Sequence, residues 1–460
     1  MTTNVRSKPC KRTLTPRVLG AAAAVALMAS VAQAEFVALV GGTIHPVSGP
    51  PIENATLVMS DARILGLGRD IEVPAGARVE DVTGLHVYPA LVDANTVLGL
   101  VEVSSVPGTV DVSEMGDVNP NVRAEIALNP DSEILPVTMA NGILVAMVAA
   151  RGGLIAGTAA VIRLQGWTWE DMTIESPVGL VVNWPSMRID HSAAAKPEDK
   201  QIEERDTKLR TLHAAFADAR AYVKAVSAEG TRGIPQHDRD TRWEAMRPVL
   251  EGKIPLMVTA NEIQQIRAAL KFAKDEDLRL VLLSSGDVWR VADELAARQI
   301  PVILGPVHDL PDRRWEPYDS PFTVAMKLHR AGVRFCFAYG ADAFSAAHAR
   351  NLPYQAATAA AYGLPPEEAL RGVTQYAAEI LGVGDRLGTL EAGKEATLIV
   401  TDGDPLEIRT QVKRAFMAGR EVDLANRHTR LYEKYRHRPP PAAAQTPVAG
   451  RQSSAGKSGP

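Results

Sequence analysis

Between Val87 and Val373, short apolar runs of strand length alternate with amphipathic runs of helix length, and on either side the helical period disappears. No other feature constrains the fold as tightly. The apolar runs are Val87–Val92, Ile143–Ala149, Val178–Asn183, Leu256–Thr259, Leu278–Leu283, Val302–Leu304 and Val333–Ala338. The helix-length runs include Lys200–Glu229, Asn261–Asp275, Asp287–Arg298, Ser320–Ala331, Pro353–Tyr362 and Pro366–Val373. Strands separated by helices imply a parallel sheet with helices packed on it. Asn261, with Gln264 three residues on, predicts a capped helix start. The glycine-rich stretch Arg151–Gly157 lacks the Lys-Ser/Thr of a phosphate loop and the spacing of a dinucleotide fingerprint. It reads as a tight turn into the apolar run Ala159–Leu164.

The flanks are different. From Glu35 to Leu85, and again after Leu387, short strand signals are punctuated by turn residues such as Gly41-Gly42, Pro74-Ala75-Gly76 and Asp402-Gly403-Asp404-Pro405. Two strand-rich ends around an α/β middle predict one β-sandwich completed from both termini. The expected domains are residues 35–87 and 387–438 for the sandwich and 88–386 for the barrel. Residues 1–34 read as a secretory signal: five basic residues, an apolar run Val18–Val31 and the small-residue site Ala32-Gln33-Ala34. Its removal would take the formal net charge from −4 to −9 and leave no membrane span. A mildly acidic exported protein, periplasmic or secreted, argues against nucleic acid as a partner. Of two cysteines, only Cys336 would remain, which excludes an internal disulfide and a thiolate zinc cluster. Residues 439–460, rich in Pro, Ala, Gln, Ser and Gly, are expected to be a disordered tail.

The segment Tyr88-Pro-Ala-Leu-Val-Asp-Ala-Asn-Thr-Val-Leu98 resembles the first barrel strand of the amidohydrolase superfamily, where a Pro-Gly-hydrophobic-Asp-Ala segment runs into His-x-His. Leu381–Val400 with Asp402–Pro405, Gly41–Ile44 and Tyr362–Leu370 also resemble that superfamily, in its imidazolonepropionase-like and prolidase-like branch. The resemblance implies a (β/α)8 TIM barrel plus a small β-sandwich, with any pocket at the C-terminal ends of the barrel strands. It also implies a divalent metal such as zinc as the usual cofactor, and hydrolysis of non-peptide carbon–nitrogen bonds as the usual activity.

The metal ligands the resemblance calls for are not at the matching positions. Asn95 and Val97 stand at the two strand-1 histidines, Thr259 at the strand-5 histidine and Ser284 or Ser285 at the strand-6 histidine. Asp342 stands at the strand-8 aspartate. Strand alternation predicts that Asp93, Asn95 and Val97 face the lumen. A lone aspartate does not hold a catalytic cation, so no metal and no other cofactor is expected. Metal-free chemistry, if any, falls to Asp342, Asp93 and His308, the two aspartates meeting where strands 1 and 8 adjoin. Asn95, Thr259, Ser285, Arg350 and Asn351 are the expected ligand contacts. A degenerate binding or partner protein is favoured, taking a small molecule and acting beside a metal-bearing relative or as a homo-oligomer. The rival expectation is an active hydrolase, with metal held by unrecognised ligands or without metal.

Overall fold

The computed structural model describes residues 35–229 and 236–438. The expected signal segment and the expected tail lie outside the described residues. Five strands open the described chain: β1 Val37–Ile44, β2 Ile52–Ser60, β3 Arg63–Gly68, β4 Arg78–Asp81 and β5 His86–Pro89. Next come β6 Leu91–Thr96, β7 Ile143–Val148, β8 Ile155–Arg163 and β9 Thr173–Asn183. They are followed by β10 Leu256–Thr259, β11 Leu280–Ser284, β12 Val302–Leu304 and β13 Phe335–Phe337. Three more close the chain: β14 Leu398–Thr401, β15 Val412–Met417 and β16 Arg420–Glu421.

The two ends of the chain meet in one continuous sheet, ordered β16-β15-β14-β5-β1-β2-β3, with β4 also paired to β1. The junction is the antiparallel pairing of β14 with β5, Leu398 opposite Pro89 and Thr401 opposite His86. Leu39, Leu57, Val87, Leu398 and Phe416 pack into its apolar core. Only Ala90 separates β5 from β6, so a single stretch of chain leaves this sheet and enters the next.

In the second sheet each strand from β6 to β13 pairs with its successor. The expectation of eight parallel strands needs one correction. β8 runs antiparallel to both β7 and β9, while the remaining pairs are parallel. Connection length is the physical reason. Six residues join β7 to β8, enough for a hairpin, whereas a parallel crossover needs about a dozen or more.

Alternate residues of these strands separate into two apolar groups. Val145, Met147, Val161, Val181, Met257, Leu283, Ile303 and Cys336 pack together and fill the lumen. Their neighbours Leu144, Ala146, Leu180, Leu256, Leu282, Val302 and Phe335 pack outward with helix residues such as Phe216, Ile266, Leu295 and Leu328. The helix Ile263–Asp275 begins one residue later than expected, with Glu262 as its N-cap. Gln265 supplies the reciprocal bond, its Oε1 accepting from the Asn261 and Glu262 amides at 2.8 and 3.3 Å.

The glycines after β7 carry a packing role. The long loop leaving β6 lies across this turn, with the Arg151 amide donating to the Val112 carbonyl at 2.7 Å. A Cβ on Gly153, whose φ is +74°, would lie 2.8 Å from the Gly116 carbonyl oxygen. One on Gly157 would lie 2.5 Å from the Val122 carbonyl oxygen. Only a bare backbone lets the loop sit this close.

Gly153→Ala is therefore expected to lower unfolding stability by about 2 kcal/mol or more, since strain and a backbone clash combine. Gly252 shares a positive φ of +70°, but a Cβ there would meet nothing within 4 Å. Gly252→Ala should cost less than half as much in the same urea titration.

Candidate functional site at the barrel mouth

The lumen alternation decides which side chains reach the C-terminal mouth. Val281 and Leu283 point inward, so Ser285 continues that row at the rim while Ser284 turns out towards the helices. Ser284 is buried, and its hydroxyl has no hydrogen-bond partner among the described residues. Ser285 donates its amide to Asn261 Oδ1 at 2.9 Å. Thr259 follows the inward Met257 and is half-buried at the end of β10, its carbonyl accepting from the Trp184 amide at 3.1 Å. Asn183 follows the inward Val181 on β9 in the same way. Its Nδ2 donates to the Arg151 and Gly153 carbonyls, both at 2.9 Å, and so pins the glycine turn.

Strand β6 departs from the expected alternation. Val92 and Ala94 join the luminal group, whereas Val97 is buried in the outer one. Register irregularities between Leu91 and Val92, and between Asp93 and Thr96, break the simple two-residue period. Asn95 is half-buried and donates its amide to Asp93 Oδ1 at 3.3 Å.

Asp93 is fully buried. Its Oδ1 also accepts from the Tyr339 amide at 3.2 Å, just past the end of β13. Oδ2 has no partner among the described residues. Burial pushes the Asp93 pKa up to about 7, against the opposing pull of the Asn95 and Tyr339 amides. The same burial, with the Asp93 charge nearby, raises the Cys336 thiol above its ordinary range.

Asp342 is exposed and caps the helix Ala343–His348. It accepts from the Phe344 and Ser345 amides at 2.9 and 3.0 Å and from Ser345 Oγ at 2.5 Å. Partial burial works to raise its pKa, but these bonds and the Arg151 charge hold it below the usual carboxylate range. Asp93 and Asp342 hydrogen-bond to different partners, the Asn95 and Tyr339 amides for the first and the Phe344 and Ser345 amides for the second. His308 does not complete a constellation with either. Its Nε2 meets Thr358 Oγ1 at 2.7 Å, its amide donates to Gln355 Oε1 at 2.8 Å, and burial lowers its pKa. Arg350 is held by its carbonyl, which accepts from Asn141 Nδ2 at 2.6 Å. Asn351 precedes the helix Leu352–Ala361 without a side-chain cap bond.

Arg151 is a site group that residue patterns alone do not single out. It lies in the turn between β7 and β8, and its guanidinium donates to the Ala341 carbonyl in the loop after β13. Its side chain touches solvent, yet the surrounding protein lowers its pKa by desolvation, with Asp342 pulling the other way. Beside Ala150, a cavity of 580 Å³ opens under the β6 loop, lined by Leu100, Glu114, Met115, Asn119 and Arg123 among others. Among the described residues no three His, Cys, Asp or Glu side chains converge on a cation position.

Residues 322–423 match the model of the amidohydrolase family. The chain is 22% identical over 407 residues to amidohydrolase tasK of Hapsidospora irregularis, covering 82% of this chain and 41% of that relative. It thus spans about two fifths of the curated relative's length. Among solved structures it is similar to an amidohydrolase from Thermotoga maritima MSB8, with a TM-score of 0.73 and 25% identity. That likeness covers 84% of this chain and 99% of the other. A prolidase solved with N-methylphosphonate-L-proline shares the fold at a TM-score of 0.52 and 17% identity, over 84% of this chain and 99% of that one.

The two carboxylates differ in how they respond to pH and to substitution. The folded pKa of Asp93 lies above its ordinary value of 3.8, so the native state binds the extra proton. Stability should fall by roughly 1.4 kcal/mol per pH unit as pH rises from about 4 to about 7, and then level off. Asp93→Asn should remove that slope, so its stability relative to the wild type in urea unfolding rises between pH 5 and pH 8. Asp342→Ala should cost about 1 kcal/mol at neutral pH through loss of the cap, with Asp342→Asn retaining most of it.

Proposed function

We propose that this chain, whose residues 322–423 match the amidohydrolase family on the superfamily's barrel, binds a small molecule at the barrel mouth without metal-dependent hydrolysis. The observation that carries this reading is the donor set at the strand ends. A zinc-type site draws on imidazole, thiolate or carboxylate donors. The luminal strand ends here present Thr259, Ser285 and Asn183, and β6 carries Asn95 off that row, all of them neutral. The carboxylate beyond β13, Asp342, is committed to a helix cap and lies near the Arg151 guanidinium. A fixed positive charge beside a candidate ligand opposes a divalent cation. These residues do not fit the family's metal. The family model match also begins at residue 322, beyond the ends of β6, β10 and β11, where the imidazoles would be required.

The same features suit a ligand. A separate 580 Å³ cavity, lined by the loop after β6 and by Ala150, the sequence neighbour of Arg151, falls within the range of small-molecule pockets, about 300–1,000 Å³. Neutral donors and acceptors at the rim, with one cationic group, favour a polar molecule carrying an amide or an anionic end. The protein is proposed to act outside the cytoplasm. Its proposed partner is a metal-bearing relative or a second copy.

The second reading is an active hydrolase of non-peptide carbon–nitrogen bonds, favoured by the names of the relatives. Elemental analysis of the purified protein for zinc, iron and manganese, with assays on acyl-amides and dipeptides, separates the two. Substoichiometric metal, no turnover and a melting temperature that climbs with the logarithm of acyl-amide concentration are expected. One bound zinc, iron or manganese per chain together with turnover would establish the hydrolase instead.

A further inference from the structure

We propose that His45 and His86 chelate a divalent transition-metal cation of tetragonal preference, Cu2+ or Ni2+, on the sheet built from the chain ends. The two imidazoles are brought together by the parallel pairing of β1 with β5, in which Thr43 lies beside His86 and Ile44 beside Val87. The His45 amide donates to the Val87 carbonyl at 2.8 Å, which fixes the backbones on both sides of the pair. His45 Nε2 and His86 Nδ1 then face each other at 2.9 Å. The His45 ring stacks on Tyr88, with centroids 4.0 Å apart and planes 13° from parallel, so its direction is set by packing.

Two ring nitrogens this close share either one proton or one cation. The separation, which is that of an ordinary hydrogen bond, also fits one coordination geometry better than another. Ligand bonds of about 2.05 Å place two nitrogens 2.9 Å apart when the angle between them is about 90°. That is the cis angle of square-planar or octahedral coordination; tetrahedral zinc would hold them at about 3.3 Å. Both histidines are half-buried, so water completes the coordination sphere on the open side. This site lies on different strands from the barrel mouth and does not depend on the function proposed for it.

The test is titration of the full chain and of its His86→Gln and His45→Gln variants with CuCl2, NiCl2 and ZnCl2. It is read by thermal unfolding and, for copper, by electron paramagnetic resonance. One equivalent of Cu2+ should raise the wild-type melting temperature and show hyperfine coupling to two nitrogens. Either variant should bind at least about tenfold more weakly, having lost one of two protein ligands. Ni2+ should bind at least as tightly as Zn2+. Equal melting temperatures in EDTA would show that the variants fold. Copper stabilising wild type and variants alike, or a wild-type spectrum without nitrogen coupling, would leave only an imidazole–imidazole hydrogen bond and overturn the proposal. Repeating the elemental analysis on His86→Gln, extended to copper and nickel, separates this cation from any at the barrel mouth.

Discussion

The barrel is shut by a buried carboxylate where a ladder of backbone bonds would ordinarily close it. Pairing runs unbroken from β6 to β13, but the two outer strands of that series share no ladder among the described residues. Asp93 Oδ1 spans the gap, accepting from the Tyr339 amide beyond β13 while also holding the Asn95 amide of its own strand. Close by, the Val92 amide donates to the Val373 carbonyl, so the first strand is tied to the helical segment that follows the last. A fully buried acid with one unpartnered oxygen is costly when ionised. Two amides at the seam need an acceptor, and an uncharged acid at moderately low pH supplies one at little desolvation cost.

That constraint fixes what lies above it. β6 is continuous with β5, so closing the barrel also fixes the orientation of the sheet built from the chain ends. Arg163, at the end of β8, strengthens the junction. Its guanidinium pairs with Glu395 at 3.1 Å, and Arg386 joins the same carboxylate at 3.4 Å while donating to the Ile174 carbonyl at 3.1 Å. Glu395 is buried, and a buried carboxylate shared by two guanidinium groups anchors orientation more than it adds stability.

Much of this architecture is legible in the residues alone. Six of the seven apolar runs fall on barrel strands, Val87–Val92 instead straddling β5 and the start of β6, and both ends of the chain share a sheet, because a two-residue or 3.6-residue period writes burial directly into the sequence. The direction of β8 runs against the expected parallel barrel, because the six residues between β7 and β8 leave no room for a crossover helix. What periodicity does not encode is the local register of β6. Its irregularities turn Val97 outward and bring Val92 and Ala94 inward, so a face assigned by strict alternation comes out reversed. Asp342 and Asp93 look alike as acids beside expected strand ends. Only the amides around them, two on a helix start and one across a seam, distinguish a cap from a clasp.

The barrel mouth is the least legible part of the chain, and Arg151 explains why. A single arginine before two glycines resembles ordinary turn chemistry, since its significance depends on where the turn lies in space. The glycines admit the β6 loop, Asn183 ties the turn down through two carbonyls, and the guanidinium is thereby aimed across to Ala341. Its charge acts on Asp342, the carboxylate in the loop after β13. Positive charge at that point is still useful for holding an amide or carboxylate group. A guanidinium, however, has no open coordination position at which a water could become a hydroxide nucleophile.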